Sequence, residues 1–165
     1  MKDIINIPDK KLSKEEYRDW IVGLESQISK HDGSMDRHTC LSHGYKLEQA
    51  ITPGIYTREL TMPAGSVVIS RIHLQEHPFM ITKGKVSVYD GENIITHNAP
   101  YKGVTKKGTK RVLYNHEDTT WITFHPITNE TIEDCDKDGV ITCGTYEDFD
   151  KITGLLECDS SEGDE

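Results

Sequence analysis

The sequence lacks long hydrophobic runs, and none approaches the roughly 18 residues that a membrane-spanning helix needs. Residues 1–6 hold one basic residue and no apolar stretch, so we expect no secretory signal and a cytoplasmic protein. Positive charge is also scarce, because 19 Lys and Arg stand against 28 Asp and Glu, a net charge of −9. Since phosphate backbones and anionic bilayers attract clustered positive charge, neither nucleic acid nor a membrane is expected as a partner.

Cysteine is scarce as well. The four cysteines form no C-x-x-C pair and no regular spacing, so the sequence predicts neither a disulfide framework nor a cysteine zinc site. In a reducing cytosol all four are expected to be free thiols.

A helix is predicted near the N-terminus. Ser13 is followed three residues later by Glu16, which is the capping-box pattern. The apolar residues that follow recur at helical spacing and form one stripe: Tyr17, Trp20, Ile21, Leu24 and Ile28. We expect this stripe to pack on the main domain, or alternatively on a partner. Residues 1–50 are therefore predicted to be a helix and a linking loop.

Residues 51–126 alternate short β-rich runs with turns rich in Gly, Pro, Asn and Asp. Strands are predicted at 55–60, 67–72, 79–82, 85–89, 93–96, 101–105, 111–114 and 121–125. Many short strands at this spacing predict an all-β sandwich or barrel, within the length of one domain. An acidic extension with a short helix is predicted at 127–156, and a disordered acidic tail at 157–165.

One run in this region has a recognisable motif. It opens at Gly65, contains Arg71 and His73, and closes at Gly84, with His77 six residues before the closing glycine. The run resembles the first motif of the cupin superfamily. In that comparison Arg71 stands at the first histidine of the motif, His73 at the second, and His77 at the glutamate.

A second run, from Gly108 to Asn115, resembles the second cupin motif, with Arg111 where the family has histidine. The resemblance implies an all-β fold: a single cupin-like β-barrel or jelly roll over 51–126, with an N-terminal amphipathic helix and a short C-terminal helix. The order of residues from Tyr56 to His125 is also similar to small cupin-like proteins encoded by tailed phages. That similarity implies the cytoplasm of a host, or association with a virion.

Strand alternation puts Arg71 and His73 on one face, because residues two apart on a strand point to the same side. The resemblance places that face in the barrel interior, together with His77 and Arg111. The candidate ligand-binding residues are therefore Arg71, His73, His77, Arg111, Asn115 and Tyr56.

Two kinds of ligand fit these side chains. The imidazoles of His73 and His77 suit a transition metal such as Zn, Ni or Fe, with His125 or His116 as a third ligand. Arginine cannot ligate a metal, but the forks of Arg71 and Arg111 match a carboxylate or phosphate. Alternatively, both arginines are structural.

An aspartate-rich run beginning at Asp134 follows an EF-hand loop through its ninth position. Thr145 stands where that loop needs a bidentate Glu, so calcium is not expected.

The sequence thus predicts a cupin-like protein that binds a small anion or a metal, without strong catalysis and with homodimerisation as a further expectation. One alternative is a cupin enzyme, either a metal-dependent oxygenase or isomerase or a metal-free sugar-nucleotide epimerase. Another is a structural protein of a virion. Fold alone does not choose among them, and no catalytic residue is identified.

Overall fold

The N-terminal helix forms where the capping box predicts it. The computed structural model describes residues 1, 3–36 and 39–159, without the side chains of 155–159, and helix α1 spans Lys14–Ser29. The Ser13 hydroxyl accepts a hydrogen bond from the Glu16 N–H at 3.2 Å. The Glu16 carboxylate accepts one from the Ser13 N–H at 2.8 Å. Tyr17 and Ile21 from the apolar stripe are buried, which confirms the predicted helix.

Short antiparallel strands make up most of the remaining chain. The strands are β1 (Lys46–Thr52), β2 (Ile55–Met62), β3 (Val67–Ile69), β4 (Ile72–His73), β5 (His77–Lys83), β6 (Lys85–Tyr89), β7 (Ile94–Asn98), β8 (Tyr101–Thr105), β9 (Val112–Asn115), β10 (Thr119–Pro126) and β11 (Thr142–Cys143). A short 3₁₀ helix covers Thr39–Ser42, and two further helices are α2 (Ile132–Asp136) and α3 (Tyr146–Asp159). Within the described residues no helix is long and apolar enough to cross a membrane.

The strands form two main sheets that face each other across an apolar core. The larger sheet has the order β1-β2-β10-β5-β8, the smaller one β3-β9-β6-β7, and β4 pairs with β11. The core between the two sheets consists of Tyr45, Met62, Phe79, Ile81, Val86, Val88, Leu113 and Trp121. This antiparallel jelly roll, with a helix at each end of the chain, confirms the predicted all-β fold.

Helix α1 packs on the outside of the jelly roll. Its Tyr17 and Ile21 join an apolar cluster that includes Tyr89 and Val112. The Tyr17 hydroxyl donates to the carbonyl oxygen of Lys110 at 2.9 Å. The helix stripe is therefore covered by the barrel itself.

The C-terminal extension is joined to the jelly roll by both packing and pairing. Cys135 and Ile141 pack with Tyr56 of β2, and β11 extends β4. Helix α3 continues to Asp159, beyond the predicted end at 156. The predicted disordered tail falls mainly on residues 160–165, which lie outside the described residues, so that part stays a prediction.

Two strands differ from the predictions by more than a shift of their ends. Strand β1 begins within the segment that was predicted to be a linking loop. The sequence did not indicate this strand because only alternate residues of Lys46–Thr52 are shielded, and its apolar pattern is therefore weak. The predicted strand 67–72 is two strands, with a break at Ser70 and Arg71. After the break the His73 N–H donates to the carbonyl of Thr109 at 3.1 Å, so the chain continues beside the segment that leads into β9.

Candidate functional site

Three histidines from three strands meet inside the jelly roll. His73 ends β4, His77 begins β5 and His125 lies near the end of β10. Ring centroids are 4.6 Å apart for His73 and His77, 4.2 Å for His77 and His125, and 6.2 Å for His73 and His125. His116 lies elsewhere: it is exposed, and its Nε2 is 2.7 Å from the Ser87 hydroxyl. We call His73, His77 and His125 the histidine cluster.

The histidine cluster is electrically neutral at pH 7. Burial, together with the neighbouring His77 and Arg58, lowers the pKa of His125 to about 3. Burial also lowers the pKa of His73 well below its ordinary value, with His77 and Arg111 adding to the effect. The pKa of His77 is lowered by burial too, although its hydrogen bond to Gln75 opposes the shift. Neutral imidazole is the form that can both accept and donate a hydrogen bond.

Each ring of the histidine cluster has a buried nitrogen without a hydrogen-bond partner among the described residues: His73 Nδ1, His77 Nε2 and His125 Nδ1. The His77 Nδ1 lies 3.1 Å from the carbonyl oxygen of Gln75. Because a carbonyl only accepts, the proton belongs on Nδ1, and Nε2 keeps its lone pair. Buried polar atoms are seldom left unpaired, so a ligand or water is expected at these nitrogens.

Arg111 lies beside the histidine cluster as a desolvated cation. Its guanidinium carbon is 5.4 Å from the centroid of the Phe79 ring and 5.3 Å from that of Trp121. It donates to the hydroxyl of Thr105, which pairs with His77 across β8 and β5. Burial lowers the pKa of Arg111 to about 10, and Asp90 opposes this at longer range. Among the described residues no carboxylate forms an ion pair with Arg111.

A second group of polar side chains lies at the other side of the histidine cluster. The ring of Tyr56 is 6.1 Å from that of His125, its strand partner. The Tyr56 hydroxyl donates to Asp136 at 2.9 Å, and Gln49 donates to Asp136 at 2.8 Å. Arg58 Nε lies 3.8 Å from the same carboxylate. Burial and Asp136 raise the pKa of Tyr56 to about 12, against the opposing charge of Arg58.

Arg71 and Asn115 have partners that differ from those expected. The Arg71 guanidinium pairs with Asp138, and its Nε donates to the Thr142 hydroxyl at 3.1 Å. The parity argument requires one continuous strand, whereas the chain leaves the ladder at Arg71 and turns that side chain toward the extension. Asn115 is fully buried and donates to the Ser66 hydroxyl at 3.0 Å.

The carboxylates of the aspartate-rich run each bind a different partner. Asp134 pairs with Lys137, Asp136 contacts Tyr56, and Asp138 pairs with Arg71. These carboxylates therefore do not surround one cation. More generally, the part of the chain that is described holds no group of three or more His, Cys, Asp or Glu arranged for a metal ion.

Sequence reasoning missed several residues of this site, namely Gln49, Arg58, Thr105 and Asp136. Gln49 lies on the strand that was expected to be a loop. Asp136 reaches the jelly roll only because the C-terminal extension packs against it. The hydrogen bond from Gln49 to Asp136, for example, joins residues 87 positions apart in the sequence. No local pattern in the sequence assigns either residue to this site.

Comparisons with known proteins concern the fold. No family model matches the sequence, and no curated protein matches it. Three similar solved structures are an ethanolamine utilization protein Q of Salmonella typhimurium, a cupin-2 domain protein of Shewanella frigidimarina and an acetylacetone dioxygenase of Acinetobacter johnsonii.

The Salmonella protein has 10% identity and a TM-score of 0.47, over 60% of this chain and 85% of that one. The Shewanella protein has 13% identity and a TM-score of 0.43, over 56% and 94%. The Acinetobacter enzyme has 23% identity and a TM-score of 0.44, over 50% and 60%. Similarity at this level identifies neither a ligand nor a reaction.

Proposed function

We propose that this protein binds a small organic anion inside the jelly roll, with Arg111 as the principal contact. The observation that carries the proposal is a desolvated guanidinium with no ion-pair partner among the described residues. Charged groups are rarely buried unless they are paired. A carboxylate of a ligand would supply the missing partner, and the planar fork of arginine matches its two oxygens.

The surroundings of Arg111 suit an anion. The neutral rings of the histidine cluster add no competing charge, and their unpartnered nitrogens can hydrogen-bond a bound molecule. The rings of Phe79 and Trp121 keep water away from the guanidinium, which strengthens its attraction for a carboxylate. His73 is partly accessible although its ring is strongly desolvated.

Tryptophan fluorescence provides a direct test. The chain has two tryptophans. In a Trp20→Phe background the signal therefore comes from Trp121, beside Arg111. Titration with acetate at constant ionic strength should change this fluorescence in a saturable manner. In the same background Arg111→Met should weaken acetate binding at least about tenfold, because the charge-assisted hydrogen bonds are lost.

Arg71→Met is the matched control. It removes the same type of side chain, but one that pairs with Asp138 rather than facing the rings of Phe79 and Trp121. Acetate binding should therefore be unchanged in this variant. Equal acetate affinities of the wild type and of a folded Arg111→Met variant would contradict the proposal.

A transition metal at His73, His77 and His125 is the second candidate. The three unpartnered ring nitrogens favour it, since neutral imidazole is a common metal ligand. The donors fit in kind but not in arrangement, because they do not form a metal-binding group as placed. The positive charge of Arg111 also opposes a dication. No chemical step through a metal is therefore derived.

Elemental analysis of the purified protein separates the two candidates. About one equivalent of Zn, Ni or Fe per chain, lost in His77→Ala, would favour the metal site. Absence of metal together with a co-purified organic anion, lost in Arg111→Met, would favour the anion site.

Finer expectations from the sequence stay predictions. These are a cupin enzyme acting as oxygenase, isomerase or epimerase, a virion structural role, a phage origin, homodimerisation and cytoplasmic location. Incorporation into particles would favour the structural role, and turnover of a bound anion would favour an enzyme.

A further inference from the structure

Asp136 brings a negative charge from the C-terminal extension into the site. It is the last residue of α2, whose Cys135 is buried against Tyr56. The carboxylate accepts hydrogen bonds from Gln49 and Tyr56 and lies 3.8 Å from Arg58 Nε. Packing and three polar contacts therefore fix its position.

A row of side chains crosses the larger sheet from Thr105, which is bonded to Arg111, to Tyr56, which is bonded to Asp136. Thr105 and His77 are strand partners, as are His125 and Tyr56, and β5 lies next to β10. Four strands at spacings of about 4.8 Å put the backbones of Thr105 and Tyr56 about 14 Å apart. The histidine cluster lies between them, with Arg111 on the Thr105 side and Asp136 on the Tyr56 side.

The charges at the two ends are not equivalent. Both guanidiniums act on the His73 ring, since Arg111 and Arg58 each lower its pKa. Arg58 is accompanied by Asp136, whereas Arg111 has no carboxylate at contact distance among the described residues. The site therefore has an uncompensated positive charge on one side, whereas on the other side a carboxylate already stands beside the guanidinium.

We propose that Asp136 determines ligand specificity, so that the site selects a monocarboxylate with a hydroxyl at its other end and rejects a dicarboxylate. This inference rests on the proposed anion-binding function. The carboxylate of the ligand lies at Arg111. A second carboxylate would meet the negative charge of Asp136, whereas a hydroxyl can donate to Asp136 and accept from Tyr56 or Gln49.

The test compares two probes of equal chain length, 4-hydroxybutyrate and succinate, by isothermal titration calorimetry at pH 7.5. Wild-type protein should bind 4-hydroxybutyrate at least about tenfold more tightly, because Asp136 already occupies the position beside Arg58 and its charge repels a second carboxylate. Asp136→Asn keeps the size of the side chain and removes its charge. In this variant the preference should fall below about threefold, mainly through tighter succinate binding.

Asp138→Asn is the matched control, two residues further along, where the carboxylate pairs with Arg71. Its preference should equal that of the wild type. If Arg111→Met weakens both probes but Asp136→Asn leaves the preference unchanged, the role of Asp136 is wrong and the anion site stands. If neither probe binds the wild type at millimolar concentration, both the anion site and the role of Asp136 are wrong.

Discussion

His73 and Thr142 are partners in the two-stranded ladder between β4 and β11. The strand that carries a histidine of the cluster is therefore paired with the C-terminal extension. The Leu74 N–H also donates to the carbonyl of Ile141 at 3.0 Å. The extension is thus part of the structure that positions the site, and its core contacts should contribute to both stability and binding.

Ile141→Ala tests this coupling. Ile141 is 2% exposed and packs with Tyr56 and Cys135. Truncation of a buried isoleucine removes apolar contacts and leaves a cavity, so the free energy of unfolding should fall by about 3 kcal/mol. Chemical denaturation should show one transition, shifted as a whole. A separate early transition that leaves the jelly roll intact would mean that the extension folds independently.

Val140→Ala is the control for Ile141→Ala. Val140 is the preceding residue and is only partly buried. Its truncation should cost less than about 1.5 kcal/mol, since few contacts are lost.

Acid should destabilise the metal-free protein through the histidine cluster. The pKa values of His77 and His125 are lower in the folded state than the ordinary value near 6.5. The unfolded chain therefore binds more protons, and the free energy of unfolding falls as pH drops below about 6.5, down to about 3 for His125. Between pH 6 and 5 the His125 ring should contribute a loss of about 1 kcal/mol, and His77 should add a loss of the same sign.

Denaturation of His125→Gln at the two pH values checks this expectation. The variant should lose about 1 kcal/mol less than the wild type between pH 6 and 5. His31→Gln changes an exposed ring and should reproduce the wild-type loss. If His125→Gln loses as much free energy of unfolding between pH 6 and 5 as the wild type, the pKa of His125 is not lowered in the folded protein.

The sequence predicted those features of the fold that depend on residues close together in the chain. The capping box at Ser13 predicted the start of α1, and the alternation of turns and β-rich runs predicted the two-sheet fold. It also predicted His73 and His77 as candidates for one site, with His125 or His116 as a third ligand; the fold brings His125 to them, whereas His116 lies against Ser87. Arg71 was less predictable, because a two-residue break in a strand redirects a side chain without altering the apolar pattern. Asp136 was unpredictable, since its contacts depend on packing of the extension.

Arg111→His should create a better metal site. It removes a permanent positive charge and adds an imidazole that can be neutral near pH 7, beside His73 and His77. Calorimetric affinity for Ni²⁺ should rise at least about tenfold over the wild type, because a further nitrogen ligand becomes available. Arg111→Met is the control, since it removes the charge without adding a ligand. An unchanged affinity in folded Arg111→His would contradict its placement beside the cluster.

Close contact of α1 with the β6–β7 turn gives the last prediction. Gly91 has a φ of +102°, and a Cβ there would lie 2.7 Å from atoms of the Tyr17 ring. Gly91→Ala should therefore combine backbone strain with displacement of Tyr17, whose hydroxyl bonds to Lys110. We expect the free energy of unfolding to fall by about 3 kcal/mol, measured by urea denaturation.

Gly54→Ala separates strain from the clash. Gly54 has a φ of +84° and nothing within 4 Å of its added Cβ, so only strain remains and the loss should be about 1 kcal/mol. In a Tyr17→Ala background the cost of Gly91→Ala should fall to that same value, because the ring it would displace is gone. If Gly91→Ala costs as much in that background as in the wild type, the contact between Tyr17 and Gly91 does not limit this turn.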